Sequence, residues 1–360
     1  MTINFSNLSY FLAKQIFANK QLWLSIGDIE SKCVNNKVDH KTVFQPVYIT
    51  GLARSGTTLM LENLAKIKGC TSHTYRDFPM IYTPYVWNKL LSICDKFAFK
   101  NKASERSHQD GMKVTPESPE ALEEIIWESF FNNLHNESEI SVLSKNRVNE
   151  KFNAFYQRHI QKLLVVRSAK RYLAKANYNI TRLEYLLDLN DSSKFIIMVR
   201  NPVMHIKSIL RQDKIFSETH NQYPKTLKFM EMSGHYEFGI NKKLINVDAD
   251  DLKLIKQKFN NKDDISAWAL YWNMMYKYVI SLAESLPRDN FMLCRYEDLC
   301  NNPRKTLDKI FDFTDLLPTK TQGQEIINSI KPLATKHDFT SKELALIKKI
   351  TGNTARYFGY

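Results

Sequence analysis

Pro46-Val-Tyr-Ile-Thr50 runs without a break into Gly51-Leu-Ala-Arg-Ser-Gly-Thr-Thr58 and on into Leu59-Met-Leu-Glu-Asn-Leu-Ala-Lys-Ile67. The first piece has the apolar, β-branched make-up of a buried strand, and the third carries its apolar residues at helical spacing. Strand, tight loop and helix form the first half of a βαβ unit. The middle piece nearly matches the phosphate-loop pattern GxxxxGK[ST], in which backbone N–H groups and a helix N-terminus surround an anion. Thr57 stands where that pattern has a lysine. The lysine reaches the β- and γ-phosphates of a nucleoside triphosphate, so its replacement argues against ATP or GTP hydrolysis. A cation does sit inside the loop, at Arg54. The loop suits a terminal phosphate with a different group beyond it.

Further strands are predicted outward from this one. They fall near Cys70–Thr74, at Arg171–Leu173, at Lys194–Val199 and at Phe291–Arg295. The run Phe195-Ile-Ile-Met-Val199 is apolar throughout, as in a parallel strand covered on both faces. It ends at Arg200-Asn-Pro202, and a helix over Val203–Gln212 follows. Other helices are expected at Ile180–Leu189, Ile265–Leu286, 303–313 and 341–350. Residues 78–165 read as mostly helical. One helix starts at Ser118-Pro-Glu-Ala-Leu-Glu-Glu124, with Ser118 as cap and Pro119 at the first position. Ser217–Asp264 reads as an irregular, charged surface insertion. Strands alternating with helices predict an α/β chain with a P-loop-type three-layer fold, a central parallel sheet of about five strands and a helix-rich periphery. The expected organisation is a helical N-terminal extension over 1–45 and a main domain over 46–315, with insertions at 78–165 and 213–264. A C-terminal helical segment over 316–360 packs on the same domain.

Composition narrows the function. The chain has 360 residues and a formal net charge of +13, which favours an anionic partner. The lysines are dispersed, and no clustered Lys/Arg stretch with interleaved aromatics or recognised module supports nucleic-acid binding. Glycine, at 10 of 360, is too sparse for collagen or glycine-rich linkers. No apolar run approaches the ~18–20 residues of a membrane span. The N-terminus is broken by polar residues and does not read as a secretory signal. The five cysteines form neither a CxxC pair nor a zinc spacing, as befits free thiols in a reducing compartment. The expectation is a cytoplasmic protein. Its aromatic N-terminal segment (Phe5, Tyr10, Phe11, Phe17, Trp23) is open to docking on the domain, to pairing subunits or to peripheral contact with the inner face of the membrane.

Leu52-Ala-Arg-Ser-Gly-Thr-Thr58 resembles the 5′-phosphosulfate-binding loop of sulfotransferases that use 3′-phosphoadenosine 5′-phosphosulfate (PAPS), and in particular the bacterial, carbohydrate-type enzymes. A second family element is a strand ending in Arg with Ser eight residues later, the pair that clamps the donor's 3′-phosphate. Arg200 and Ser208 stand in that relation. Arg295-Tyr-Glu-Asp-Leu299 and the closing Phe358-Gly-Tyr360 are also similar to family segments. The resemblance covers about residues 46–315. It implies sulfuryl transfer from PAPS to an acceptor hydroxyl on a carbohydrate or glycolipid, with 3′,5′-adenosine bisphosphate (PAP) as product. It further implies donor binding by Gly51, Leu52, Ala53, Arg54, Ser55, Gly56, Thr57, Thr58, Arg200 and Ser208. A P-loop kinase or NTPase, or a basic nucleic-acid-binding protein, are the competing readings.

Sulfuryl transfer needs cations near the bridging oxygen and a base near the acceptor hydroxyl. Arg54 is one cation. Lys175 is the other, at the position after the third strand where the family places a lysine. No metal is expected, because cations cradle the donor and neither HxxxH nor paired-carboxylate spacing is evident. The base is left open between Asp77, which follows the second strand, His108 in a polar loop, and Glu117. His73, His205 and His220 have no motif context. Trp268, Tyr296 and Phe78 are candidates for an adenine platform. The acceptor pocket is expected from residues 78–130 and 213–264.

Overall fold

In the computed structural model, which describes residues 7–37, 45–94, 104–105, 113–333 and 335–360, nine strands and the helices around them follow in order. The strands are β1 (Val47–Thr50), β2 (Cys70–Thr71), β3 (Ser104–Glu105), β4 (Lys113–Val114), β5 (Glu139–Ser141), β6 (Arg171–Lys175), β7 (Lys194–Val199), β8 (Leu244–Asn246) and β9 (Phe291–Arg295). Five of them make one sheet in the order β2-β6-β1-β7-β9. Every neighbouring pair in it is parallel. β1 lies in the middle, pairing with β6 through Ile49 and Lys175 and with β7 through Thr50 and Ile197. The loop after β1, Lys175 and Arg200 therefore all emerge at the carboxyl edge of the sheet. That is the edge at which open α/β sheets bind ligands.

Side-chain alternation divides the core into two layers. Tyr48 of β1 and Phe195, Ile197 and Val199 of β7 face one cluster, and Val47, Ile49, Ile196 and Met198 face the other. The N-terminal helices are α1 (Asn7–Ala18) and α2 (Lys20–Val34). After the loop come α3 (Thr57–Leu64), α4 (Pro84–Cys94), α5 (Glu124–Phe130), α6 (Glu150–Val166), α7 (Leu183–Leu189), α8 (Pro202–Gln222), α9 (Pro224–Met232), α10 (Ala249–Asn260) and α11 (Asp264–Ser285). The chain closes with α12 (Tyr296–Asn301), α13 (Pro303–Thr314), α14 (Lys320–Ser329) and α15 (Ser341–Tyr357). Trp268, Trp272, Met275 and Val279 of α11 are core residues, as their helical spacing implies. No helix among the described residues is long and apolar enough to cross a membrane.

Three expectations need correction. No helix starts at Ser118: α5 begins at Glu124. The stretch before it instead satisfies the backbone after β2. Tyr75 N–H donates to Ser118 O at 3.1 Å, Glu120 N–H to His73 O at 2.9 Å, and Thr74 bridges Pro119. Only part of 78–165 is helical among its described residues, since short strands and turns separate α4, α5 and α6. Nor is 217–264 irregular. α8 continues to Gln222, burying Phe216 and His220, and α9, β8 and α10 follow. β8 pairs with β5 in parallel, which ties the two insertions together.

Candidate functional site

Backbone geometry shapes the loop between β1 and α3. Gly51 has φ +141°, and a Cβ there would lie 2.5 Å from Met198 O. Gly56, at φ +102°, caps α3, and its missing Cβ leaves room for the Tyr296 ring, which would otherwise be 2.5 Å away. Both positions need glycine. Arg54 also takes a left-handed φ of 74°, uncommon for a side-chain-bearing residue. Neighbours hold it there. Arg200 Nη1 donates to Arg54 O at 2.9 Å, and Arg54 Nε donates to Ser208 Oγ at 3.3 Å. His205 Nε2 bonds Ala53 O at 2.8 Å. Burial, with the charges of Arg200 and Arg54, lowers the His205 imidazole to about 3, so it is neutral at pH 7 and its Nε2–H is the donor. The Arg200 guanidinium also stacks on Tyr296, 4.6 Å from the ring centroid.

Two pockets meet at this loop and share Arg54, Thr57 and Thr58. The first lies over the N-terminus of α3. Its described lining carries five cations (Arg54, Lys66, Lys113, Arg200 and Lys331) against one carboxylate, Glu62. Tyr296 and Ser329 complete its wall. A helix N-terminus and this charge excess both favour an anion there. The second pocket is lined by apolar residues, among them Phe78, Phe216 and Phe229, and by polar ones, among them Lys175, Asn177, Glu120, His235 and Glu237. Its walls come from β6, from Tyr75, Phe78, Glu120 and Leu122, and from residues between 216 and 238.

A chain of polar contacts joins the loop to the second pocket. Thr57 Oγ1 donates to Asn177 Oδ1 at 3.3 Å, and Asn177 Nδ2 donates to Glu237 Oε1 at 2.8 Å. Glu237 Oε2 faces His235 Nδ1 at 3.7 Å. Burial opposes an imidazolium at His235, but the Glu237 carboxylate, helped by that of Glu120, outweighs burial and raises the His235 pKa from its ordinary value. Glu237 is lowered in turn: burial works against its charge, and His235, Lys175 and Asn177 more than compensate. Glu120 is lowered by His235 and Lys175 despite its burial.

The residues singled out from sequence divide between this site and elsewhere. The Gly51–Thr58 loop, Arg200, Ser208 and Lys175 come together. Asp77 does not line either pocket. Its buried carboxylate takes Arg167 Nη2 at 2.5 and 2.6 Å, caps Thr74 N–H at 2.8 Å and faces His73 Nδ1 at 3.3 Å. Burial would raise its pKa, but His73 and Arg167 hold it well below the carboxylate range. This carboxylate is committed to an ion pair with Arg167 outside both pockets. Glu117 is exposed and pairs with Arg76. His108 lies outside the described residues. Phe78 and Tyr296 each line a pocket, while Trp268 is buried in the core.

Asp77→Asn is thus expected to cost stability. Removing one partner of a buried pair costs about 3 kcal/mol at the lower end of its range. Since the folded carboxyl titrates below its unfolded value, its stabilising effect is complete above about pH 4 and fades as the pH falls through the lower folded value. Urea denaturation at pH 7 should show the loss, and turnover of the folded protein should stay within a few-fold of wild type.

Sequence reasoning missed Glu120, Asn177, His235 and Glu237, as well as Lys66, Lys113 and Lys331. It also passed over the i,i+4 carboxylates Glu124 and Glu128. With His135, their ligand atoms lie within 4.8 Å of one another. Arg182 already holds Glu124 through two bonds of 2.9 and 2.6 Å. With burial opposed by that charge, Glu124 is lowered to about 2. The cluster is an ion-pair network in the wall behind the second pocket.

Known proteins resemble this chain in sequence family and in fold. A model of the sulfotransferase family matches residues 46–242, more than half the chain. Sulfotransferase STF9 from Mycobacterium avium superposes with a TM-score of 0.54 at 12% identity, covering 100% of this chain and 88% of that one. Sulfotransferase STF1 from Mycobacterium tuberculosis gives 0.48 at 13% identity, over 91% and 81%. The mouse sulfotransferase SULT7A1, solved with PAP, gives 0.38 at 12% identity, over 92% and 90%. A sequence search of curated proteins found no match.

Proposed function

The chain belongs to the sulfotransferase family, and from that membership we propose that it transfers a sulfuryl group from PAPS, held in the cationic pocket, to a hydroxyl held in the adjoining one. The observation that carries this reading is the shared wall: Arg54, Thr57 and Thr58 border both pockets, so groups bound on either side meet at one loop. The family match sets aside the kinase and nucleic-acid readings. The donor supplies the sulfuryl group: the acceptor oxygen forms a new bond to sulfur, the bond from sulfur to the bridging oxygen breaks with its electron pair left on the phosphate, and the hydroxyl proton leaves to a base.

Each protein group has a part in that exchange. The loop N–H groups and the α3 N-terminus hold the 5′-phosphate. Arg200 and Ser208 take the 3′-phosphate, with Arg200 presenting its planar fork. Arg54 from the loop and Lys175 from the end of β6 balance the charge that grows on the bridging oxygen. His235 is the base: Nδ1 faces Glu237, which leaves Nε2 to accept the hydroxyl proton. His235 takes the place of Asp77, whose carboxylate is committed to Arg167.

Calorimetry with PAP tests the donor assignment. Arg200→Ala should weaken PAP binding by on the order of ten- to a hundred-fold, the value of one or two charge-assisted hydrogen bonds. Unchanged affinity would remove Arg200 from the donor site. ATP with magnesium should bind much more weakly than PAP, and equal binding would favour a nucleotide kinase.

A further inference from the structure

We infer that the outward faces of α2 and α4 dock on an anionic lipid bilayer, with their apolar side chains at the acyl boundary and flanking lysines among the headgroups. This goes beyond sulfuryl transfer and rests on neither the donor nor the acceptor assignment. Among the described residues twelve large apolar side chains are exposed, and seven of them lie on α1, α2 and α4. Single exposed apolar residues are ordinary, but such a concentration marks an interaction surface. Val86, Leu90 and Ile93 of α4 recur at i, i+4 and i+7, so they share one helix face, and they are 48%, 50% and 56% exposed. The other face holds the helix to the protein: Trp87 Nε1 donates to Arg76 O at 2.7 Å, and Asn88 Nδ2 to Asp77 Oδ1 at 3.1 Å. α2 continues the surface. Val86 N–H donates to Glu30 Oε1 at 2.6 Å, and next to Glu30 stands Ile29, 59% exposed.

Charge selects the occupant. Lys32 lies one turn beyond Ile29, Lys37 follows α2, and Lys89 sits between Val86 and Leu90; all three are exposed. Lys37 and Lys89 converge on Tyr85, with their ammonium groups 5.2 and 5.8 Å from its ring centroid. The two carboxylates of α2 are set back: Glu30 is buried against Lys162 Nζ at 2.8 Å, and Asp28 is partly buried. α4 carries no carboxylate. A bilayer meets both features at once. The apolar side chains leave water, and each lysine stem lies along them while its ammonium reaches anionic headgroups. A second copy of this chain fits less well. Pairing through the same face would set the lysine rim against itself, in a chain whose formal net charge is already +13. Arg76 and Asp77, which anchor α4, lie between Tyr75 and Phe78 of the second pocket. A docked bilayer would therefore lie one helix away from that pocket's wall.

The test is flotation of the full chain with vesicles of phosphatidylcholine alone, and of two parts phosphatidylcholine to one part phosphatidylglycerol. Binding to the anionic vesicles should be about tenfold tighter or more, and should weaken as salt is added. Leu90→Asp, outside both pocket linings, should reduce it by about tenfold or more. Lys89→Gln should reduce it about fivefold, the worth of one lysine at such a surface. Thermal melting should be unchanged in both variants, so that lost binding reports on the face and not on the fold. Ile93→Asp on the same face gives the reading should Leu90→Asp melt early. No binding to the anionic vesicles, or binding indifferent to Leu90→Asp and Ile93→Asp, would overturn the inference. So would a dimer in sedimentation equilibrium that Leu90→Asp converts to monomer, because the face would then belong to a second copy.

Discussion

His235→Gln should lower turnover by about 10²–10⁴-fold while PAP affinity holds, the loss expected when a positioned general base is removed. The argument starts from geometry. Glu237 lies 3.7 Å from one imidazole nitrogen, an ion-pair separation, and Asn177 bonds Glu237 at 2.8 Å. Thr57 ties Asn177 to the phosphate loop at 3.3 Å. The base is thus held relative to the loop through three side chains, not left on a loose connection between α9 and β8. Charge supplies the second step. The carboxylates of Glu237 and Glu120 raise the His235 pKa against burial and against Lys175. A raised pKa makes the neutral imidazole a stronger proton acceptor and lowers the fraction of it that is neutral at a given pH. Only the neutral imidazole accepts a proton, so turnover should rise with pH through the His235 pKa and then level off. Glu237→Gln removes the charge that raises that pKa, and the rise should move to lower pH. A rise that stays in place in Glu237→Gln, or near-normal turnover in His235→Gln, would assign proton removal to another titratable group on this wall, with Glu120 the next to replace.

The fold was legible where local chemistry decides structure. β1, the two glycines and α3 are contiguous, and their apolar spacing and turn requirements are independent of the rest of the chain. β7 announced itself by five apolar residues in a row, and Arg200 then fell at the sheet edge by position alone. The catalytic wall was not legible in the same way. Glu120 reaches the pocket because residues 118–120 pair with the backbone at 73–75. Glu237 meets the end of β6 through Asn177, which lies sixty residues earlier in the chain. No residue spacing carries such pairings. Asp77 shows the converse. Its place after β2 invited a catalytic reading, but its partner Arg167 follows α6, ninety residues away. The one signal available for His235 was the Gly234–Gly239 stretch, where aromatic and titratable residues alternate between two glycines inside a charged region.

Arg54→Asn should damage both donor binding and rate, which separates Arg54 from His235 and from Arg200. The choice of asparagine matters. Arg54 sits at φ +74°, where alanine would add backbone strain to the loss of charge. Asparagine tolerates that region, so the variant reports on the guanidinium alone. Arg54 borders both pockets, and its Nε holds Ser208 at 3.3 Å. Its loss releases the Ser208 hydroxyl and removes one of five cations around the donor. PAP affinity should fall by about tenfold, one charge-assisted hydrogen bond. Turnover at saturating donor should fall by a further 10²–10³-fold, because a fixed cation at the bridging oxygen is worth most as the bond to sulfur breaks. Arg200→Ala, by contrast, should weaken binding with a smaller effect on saturated turnover, since the 3′-phosphate carries no changing charge. Measuring PAP affinity and saturated turnover for both variants tests the division. If Arg54→Asn loses affinity but keeps its saturated rate, Lys175 alone serves the bridging oxygen, and Lys175→Ala should then show the whole rate loss.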